Sequence, residues 1–553
     1  MPRKLSILLV LLALPLAFAV SFSAARSLLQ APASNPPAES VPAITSQPQV
    51  LAKPAQPDRQ NRQPVLDVGL PGPARNAPMR SDAPVRNDLT PPQASDLSVG
   101  GNHAPVSHAA PVIALPGTLV YTVKQRSESI TLLARRFLAQ TSYMTVPELE
   151  AAIRRANRDK KGNYFKKGDR VIISGYEAMP FLEKPMVLSA DSDVRAIYLT
   201  GYTAGSIKGI ALIRHWKELG GNAVVFDVKD FDGLVNVPFE NPLAPTRRPP
   251  ISNLPKFVRF LHTLRLHAIA RIALFLDAYQ AQNHPQLVVR SRRSGGPWTE
   301  NGKLAWVDPS NAEAQDYNLA LARTAAESGV DEIQFDYVRF PTEGDQADAQ
   351  FYFQSRAFRA KHPDWQRKDV IVDFLTRAYS ELHPLGVLVS LDVFGVMAWQ
   401  RKVDLDHTGQ DVAEMAKHCD VLSPMIYPSH FFHMDGFERP GEAPAHFINE
   451  SMSRFRKITA DTHVAIRPWL QAFGWRTPSY SPAYVHTQVL VARENGGVGY
   501  LLWNARNDYS KVFPAMPESG MLPRPQSTAQ TASPKPQLAA PAVTLTAPAA
   551  GRR

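Results

Sequence analysis

From residue 194 onward the hydrophobic and polar positions repeat one pattern. A short apolar or β-branched run ends in polar or aromatic residues, a loop follows, and a segment of helical spacing comes next. The runs are Ala196–Thr200, Ala223–Asp227, Ala268–Phe275, Glu332–Asp336, Val387–Asp392, Val421–Tyr427, Val464–Trp469 and Val498–Trp503. Between them, Ile210, Ile213, Trp216 and Leu219 recur at helical spacing within Gly209–Leu219, and Asn311–Glu327, Asp369–Leu382, Gln410–His418 and Pro482–Glu494 keep the same period. Asp308-Pro309-Ser310 is a good capping context for the helix starting at Asn311. Strands alternating with helices predict a parallel sheet, and eight such units predict an α/β (βα)8 TIM barrel over residues 190–516. A doubly wound open sheet is the structural alternative, but it would show fewer strands and a Gly-rich first turn. No G-x-G-x-x-G or P-loop is present, so nucleotide binding has no support and no cofactor is called for.

A smaller pattern precedes the barrel, over residues 117–176. Leu119–Val123 alternates as a strand does, Ile130–Phe137 and Leu149–Ala156 have helical spacing, and Val171–Ile173 reads as a strand after the turn Lys167-Gly168-Asp169. This small α+β unit, in β-α-α-β order, resembles a LysM module. The matching residues are Tyr121-Thr122-Val123-Lys124, Asn157 and Phe165-Lys166-Lys167-Gly168-Asp169. Arg126-Ser127 stands where such modules usually have a Gly-Asp turn. The resemblance implies binding of N-acetylglucosamine-containing glycans such as peptidoglycan. The alternative is a docking domain packed on its neighbour.

Composition changes the picture at the ends of the chain. Of its 49 prolines, 26 fall within residues 1–116 and 517–553. Residues 1–25 carry Arg3 and Lys4, an apolar stretch and Ser23-Ala24-Ala25, which reads as an export signal; the apolar stretch is equally long enough for a single membrane anchor. Residues 26–116 and 517–553 are Pro-, Ala-, Ser- and Gln-rich with few aromatics and read as a disordered linker and a disordered tail. The expectation is an exported protein: periplasmic, held on the inner membrane facing the periplasm, or secreted. The net charge of +11 belongs to the flanks (+3 each) and to residues 117–190 (+6), while residues 191–516 sum to −1. A neutral barrel removes the argument for a nucleic-acid partner. The single cysteine, Cys419, excludes an intrachain disulfide framework and reads as a core residue.

In a TIM barrel the reacting groups sit at the C-terminal ends of the strands. There this sequence places Asp227 and Lys229 with Asp230, then Asp277, then Asp336 with Tyr337 and Arg339, then Asp392. Tyr427 with Ser429 and His430 follows the sixth run, Arg467, Trp469 and Gln471 mark the seventh, and Trp503 with Asn504 the eighth. Period-two alternation puts Gln334 with Asp336, and Ser390 with Asp392, on the interior face. Two carboxylates on neighbouring strand ends are what glycoside hydrolysis requires, one to protonate the leaving oxygen and one to attack the sugar or activate water. Tyr202, Tyr337, Tyr427, Trp469 and Trp503, with Trp399 and Trp475, offer flat faces for sugar rings. Asp336 and Asp392 are therefore the catalytic candidates. Tyr202, Asp227, Lys229, Asp277, Tyr337, Arg339, Tyr427, His430, Trp469, Gln471, Trp503 and Asn504 are the substrate-binding candidates. A plainer reading has Asp336 paired with Arg339 or Lys229 in a structural ion pair. A weaker one has His430, His433 and Asp435 holding a metal for deacetylation, although their spacing matches no strong zinc motif.

At these residues the sequence resembles a family of bacterial exported proteins grouped with the glycoside hydrolases, once a domain of unknown function and placed near the α-amylase-like TIM barrels. The resemblance is carried by Tyr198-Leu-Thr-Gly-Tyr-Thr-Ala-Gly205, Phe226-Asp-Val-Lys-Asp230, Ala305-Trp-Val-Asp-Pro309, Asp331-Glu-Ile-Gln-Phe-Asp-Tyr-Val-Arg-Phe-Pro341, Asp392-Val-Phe-Gly395, Ser423-Pro-Met-Ile-Tyr-Pro-Ser429, Arg467-Pro-Trp-Leu-Gln471 and Leu501-Leu-Trp-Asn504. It implies Asp336 as nucleophile and Asp392 as acid/base, with Asp standing where amylase-like barrels usually carry Glu. The expected activity is hydrolysis of an envelope or extracellular polysaccharide. The alternative is a catalytically silent glycan-binding or envelope-scaffolding protein.

Overall fold

The computed structural model describes residues 117–177, 179–186 and 189–516. The signal or anchor, the linker and the tail read from the sequence lie outside the described residues. Among the described residues no helix is long and apolar enough to cross a membrane.

The first element group is the small module. Strands β1 (Thr118–Thr122) and β4 (Arg170–Ser174) pair antiparallel, with Tyr121 opposite Val171. Between them run β2 (Ser127–Ser129), helices Ile130–Phe137 and Val146–Ala156, and β3 (Tyr164–Lys166). The second hairpin-like ladder, β2 with β3, was absent from the sequence reading; its three-residue strands are too short to show a period. Thr145 and Glu148 close the second helix with a capping box. Asn157 ends that helix and ties it to β4: its Nδ2 donates to Ile153 O and Ile172 O, and its Oδ1 accepts from Ile172 N. Where a Gly-Asp turn was expected, buried Glu128 does the work of closing the loop. It accepts from Lys124 N, Gln125 N, Tyr121 OH and Arg136 Nη1. The module packs on the barrel's outer helices through Arg214 to Glu148 (2.7 Å) and Lys256 Nζ to Leu138 O (2.5 Å).

The barrel strands are β5 (Val194–Leu199), β6 (Ala223–Lys229), β7 (His267–Ala273), β9 (Glu332–Asp336), β11 (Leu388–Phe394), β12 (Val421–Ile426), β13 (Ala465–Ile466) with β14 (Trp469–Gln471), and β15 (Gly499–Trp503). Two-residue strands β8 (Arg290–Ser291) and β10 (Ala349–Gln350) pair in the loops that follow β7 and β9. Every barrel neighbour is parallel, and β5 closes on β15 while β11 closes on β12. The sequence run Val464–Trp469 is one strand in two pieces, because Pro468 has no N–H to give to the ladder.

Alternation along each strand sorts residues into two cores. Ile197, Leu199, Val224, Phe226, Ile333, Phe335, Val389 and Leu391 face the helices. Val194, Ala196, Tyr198, Val225, Ile269, Leu501, Trp469 and Trp503 fill the interior. The interior also takes charge. Near the N-terminal end Glu332 accepts from Arg467 Nη1 (2.8 Å) and faces His267 Nε2 at 2.9 Å, all three side chains sealed from solvent. Arg467, placed by the sequence reading at the end of the seventh strand, thus belongs to the base of the barrel.

Candidate active site

The C-terminal mouth is organised around Arg271, which lies wholly buried in the middle of β7. Its Nη1 donates to Asp227 Oδ1 (2.6 Å) and Asp230 Oδ1 (3.1 Å). Its Nη2 and Nε donate to Asp336 Oδ2 (2.6 and 3.2 Å). The guanidinium lies against Trp503 and Tyr198, 5.1 and 5.7 Å from the ring centres. These two rings stack at 4.0 Å, and Trp469 meets Trp503 edge-on. One fixed cation therefore gathers three carboxylates from β6 and β9, on an aromatic wall contributed by β5 and β15.

Asp336 ends β9. Its Oδ1 accepts from Tyr337 N (2.6 Å), and Tyr337 takes a left-handed backbone with φ 51°. A non-glycine residue there is uncommon and costs strain, which the packing of this loop must hold. Asp392 is its neighbour on β11: Leu391 is registered with Phe335, so the next pair along the strands is Asp392 with Asp336, on strands about 4.8 Å apart. The two differ in access. Asp336 keeps 6% of its surface, whereas Asp392 keeps 0%. Asp392 Oδ1 accepts from Trp469 Nε1 (2.7 Å), and its Oδ2 has no partner among the described residues. Burial first, and the charge of Asp336 second, raise its pKa well above the usual carboxylate range. Burial and Asp230 likewise push Asp227 up to about 8, and its Oδ2 accepts from Tyr198 OH (2.5 Å). Tyr427 is buried beside both Asp392 and Asp336, and burial with these two carboxylates holds its phenol protonated.

The other sequence candidates divide. Tyr202 is exposed at the rim, with Arg247 Nη1 donating to its hydroxyl (2.7 Å). His430 packs on Tyr427, Phe473 and Trp475, and burial with nearby Arg476 lowers its pKa to about 3, so the ring is neutral. Beside it a cleft of about 300 Å³ opens, lined by Phe432, His433, Arg439 and Arg476 among others. Arg339 is buried among Trp306, Tyr337 and Phe394, 4.8, 5.3 and 4.5 Å from the ring centres. It is not the ion-pair partner of Asp336; that partner is Arg271.

Four candidates are taken up by the fold rather than left open to a ligand. Lys229 Nζ donates to Asp277 Oδ2 (2.5 Å) and Leu274 O, and both side chains are sealed. The break in register between Asp227 and Lys229 turns the Lys229 side chain away from the mouth. Gln471 donates to Phe473 O and Thr477 Oγ1 and accepts from Ser429 N. Asn504 donates to Ala472 O and Asp508 O and accepts from Arg506 N and Asp508 N, so its amide has no capacity left. The His430, His433 and Asp435 set is not assembled either. Asp435 accepts from Trp399 Nε1 and faces His446, and among the described residues no three His, Cys, Asp or Glu side chains converge on a cation position.

The residue the sequence reading missed is Arg271. Its signal was present: a lone arginine in AIARIALF, on the interior parity of an otherwise apolar strand. A buried arginine demands carboxylates, and the strand-end aspartates were the available ones.

No curated protein matches the chain. Among solved structures, a hypothetical protein from Ruminiclostridium thermocellum ATCC 27405 is 31% identical, over 36% of this chain and 97% of that one, with TM-score 0.31. The PgaB (BpsB) glycoside hydrolase domain from Bordetella bronchiseptica is 15% identical, over 58% and 98%, with TM-score 0.44. An alpha-amylase from Lactobacillus plantarum is 11% identical, over 59% and 79%, with TM-score 0.38. Residues 196–509, which hold the barrel strands from Ala196 onward and every carboxylate around Arg271, match the family described as "Putative glycosyl hydrolase domain", and the chain belongs to that family.

Proposed function

We propose that the chain hydrolyses glycosidic bonds of an envelope or extracellular polysaccharide, with Asp336 as the carboxylate that meets the sugar. The observation that carries this reading is the pairing of Asp336 and Asp392 at neighbouring registered strand ends, with only Asp336 open to the mouth. Two like charges so close are costly together, and burial with the neighbouring Asp336 raises the Asp392 pKa. Asp336 then bonds to the anomeric carbon as the glycosidic C–O bond breaks. Tyr202 at the rim and the half-buried Trp475 beside the cleft are suited to stack on sugar rings.

The small module, on this reading, holds the barrel on an N-acetylglucosamine-containing glycan such as peptidoglycan. The N-terminal segment exports the chain or anchors it facing the periplasm. A second reading, a silent glycan-binding protein, draws on the complete burial of Asp392. One experiment separates them. The purified chain is incubated with peptidoglycan and exopolysaccharides and new reducing ends are counted. Asp336→Asn is expected to abolish them while retaining glycan binding and the circular-dichroism spectrum of the folded chain. Full activity of Asp336→Asn on a glycan that the wild type cuts would sink the assignment, and binding without reducing ends in the wild type would favour the silent reading.

A further inference from the structure

The glycosidase reading needs a proton donor that can touch the leaving oxygen. Asp392 is sealed under Trp469, and Asp227 is equally buried with its oxygens bound to Tyr198 and Arg271. Asp230 is different. Its side chain keeps 24% of its surface, and it sits one residue beyond β6 on the open face of the mouth. It makes a single contact to the cluster, accepting from Arg271 Nη1 at 3.1 Å, while Asp336 occupies Nη2 of the same guanidinium.

Resting on that reading, we propose that Asp230 is the general acid/base that works opposite Asp336. The two carboxylates occupy the two arms of one planar fork, Asp230 on Arg271 Nη1 and Asp336 on Nη2, so they flank one space at the mouth. Asp230 gives its proton to the leaving oxygen as the C–O bond breaks and Asp336 Oδ bonds to the anomeric carbon. In the second step Asp230 takes a proton from water, the water oxygen bonds to that carbon, and Asp336 leaves with its electron pair. No further reactant is needed.

The fold gives Asp230 a rigid seat. Asp230 to Gly233 form a turn closed by Gly233 N to Asp230 O (2.9 Å), with Gly233 at φ 78°. A Cβ on Gly233 would fall 2.1 Å from Asp277 Oδ1, so the turn is pressed onto Asp277. The residue before Asp230 is Lys229, locked to that same Asp277. The sealed Lys229–Asp277 pair thus has a purpose in the site: it is the footing of the Asp230 turn.

The test uses the full chain, the polysaccharide that wild type cuts best, and the 2,4-dinitrophenyl glycoside of the same sugar. Asp230→Asn keeps an acceptor for Arg271 but cannot titrate. It is expected to lower kcat on the polysaccharide by about 10²–10⁴-fold. The dinitrophenyl glycoside, whose leaving group needs no proton, should still form its glycosyl-enzyme at near wild-type rate. Azide should restore turnover to Asp230→Ala. Polysaccharide activity within about threefold of wild type would overturn the assignment alone. So would an equal loss on both substrates without azide rescue, the mark of a merely structural partner of Arg271. A wild type that forms no product from any glycan would overturn the glycosidase reading and this assignment with it.

Discussion

Glu332→Gln tests the charge buried at the base of the barrel. In the wild type Glu332 is sealed, accepts from Arg467 Nη1 at 2.8 Å and faces His267 at 2.9 Å. Burial raises its pKa, but Arg467 and then His267 more than offset that, leaving it lowered to about 2. The unfolded chain titrates near 4.3, so the folded state holds this proton less tightly. The contribution to stability is therefore present above about pH 4.3 and lost as pH falls towards about 2, and it amounts to about 3 kcal/mol. Gln removes that contribution and leaves the Arg467 charge buried with no other charged partner among the described residues. Breaking a buried pair on one side costs about 3–5 kcal/mol. At about 1.2–1.5 °C per kcal/mol for a folded unit of this size, the thermal midpoint at pH 7 should fall by roughly 4–8 °C. Melting followed by circular dichroism at pH 7 and at pH 3 measures it, and the gap between wild type and variant should shrink at pH 3. Replacing both partners, Glu332→Leu with Arg467→Met, should recover most of the loss, because neither charge then needs a counter-charge. A Glu332→Gln midpoint within about 1 °C of wild type would refute the reasoning, as would a double variant no better than the single one.

Three further outcomes are expected. Asp227 has a folded pKa of about 8 against about 3.9 unfolded, so its burial costs increasing stability as pH rises between these values; Asp227→Asn should lack that slope, and its midpoint relative to wild type should improve from pH 5 to pH 8. Arg271→Met leaves Asp227, Asp230 and Asp336 without their common cation; reducing-end release should vanish, and the fall in midpoint should be larger at pH 8 than at pH 5, where protonation can relieve the repulsion. Trp469→Phe removes the one donor to Asp392 among the described residues and leaves both its oxygens buried without a partner there, which should cost about 1–3 kcal/mol in urea unfolding; an unchanged midpoint would show that Asp392 finds another donor.

The barrel was legible because its strands are buried on both faces and its helices on one. Runs such as AVVFD and EIQFD announce the strands, and the period-two parity of Gln334 and Asp336 announced the interior face. The same parity held for Ser390 and Asp392, and all four side chains are buried in the structure. Strand-end position is all that Lys229, Asp277, Gln471 and Asn504 share with Asp336, and local periodicity distinguishes them no further.

Local sequence alone determined the eight barrel strands, their order and the polar residues at the strand ends, though not Arg271 within β7, because periodicity and strand-end placement depend on a few neighbouring positions. Only the tertiary structure decided which of these residues face each other. A break in register after Asp227 sends Lys229 to Asp277, and Asp392 goes under Trp469, a residue 77 positions away in the chain. Arg271 meets Asp336 across 65 positions. Such pairings follow from barrel closure, which sets strand register and tilt for all eight strands at once, and closure is a property of the whole sheet that no single strand encodes.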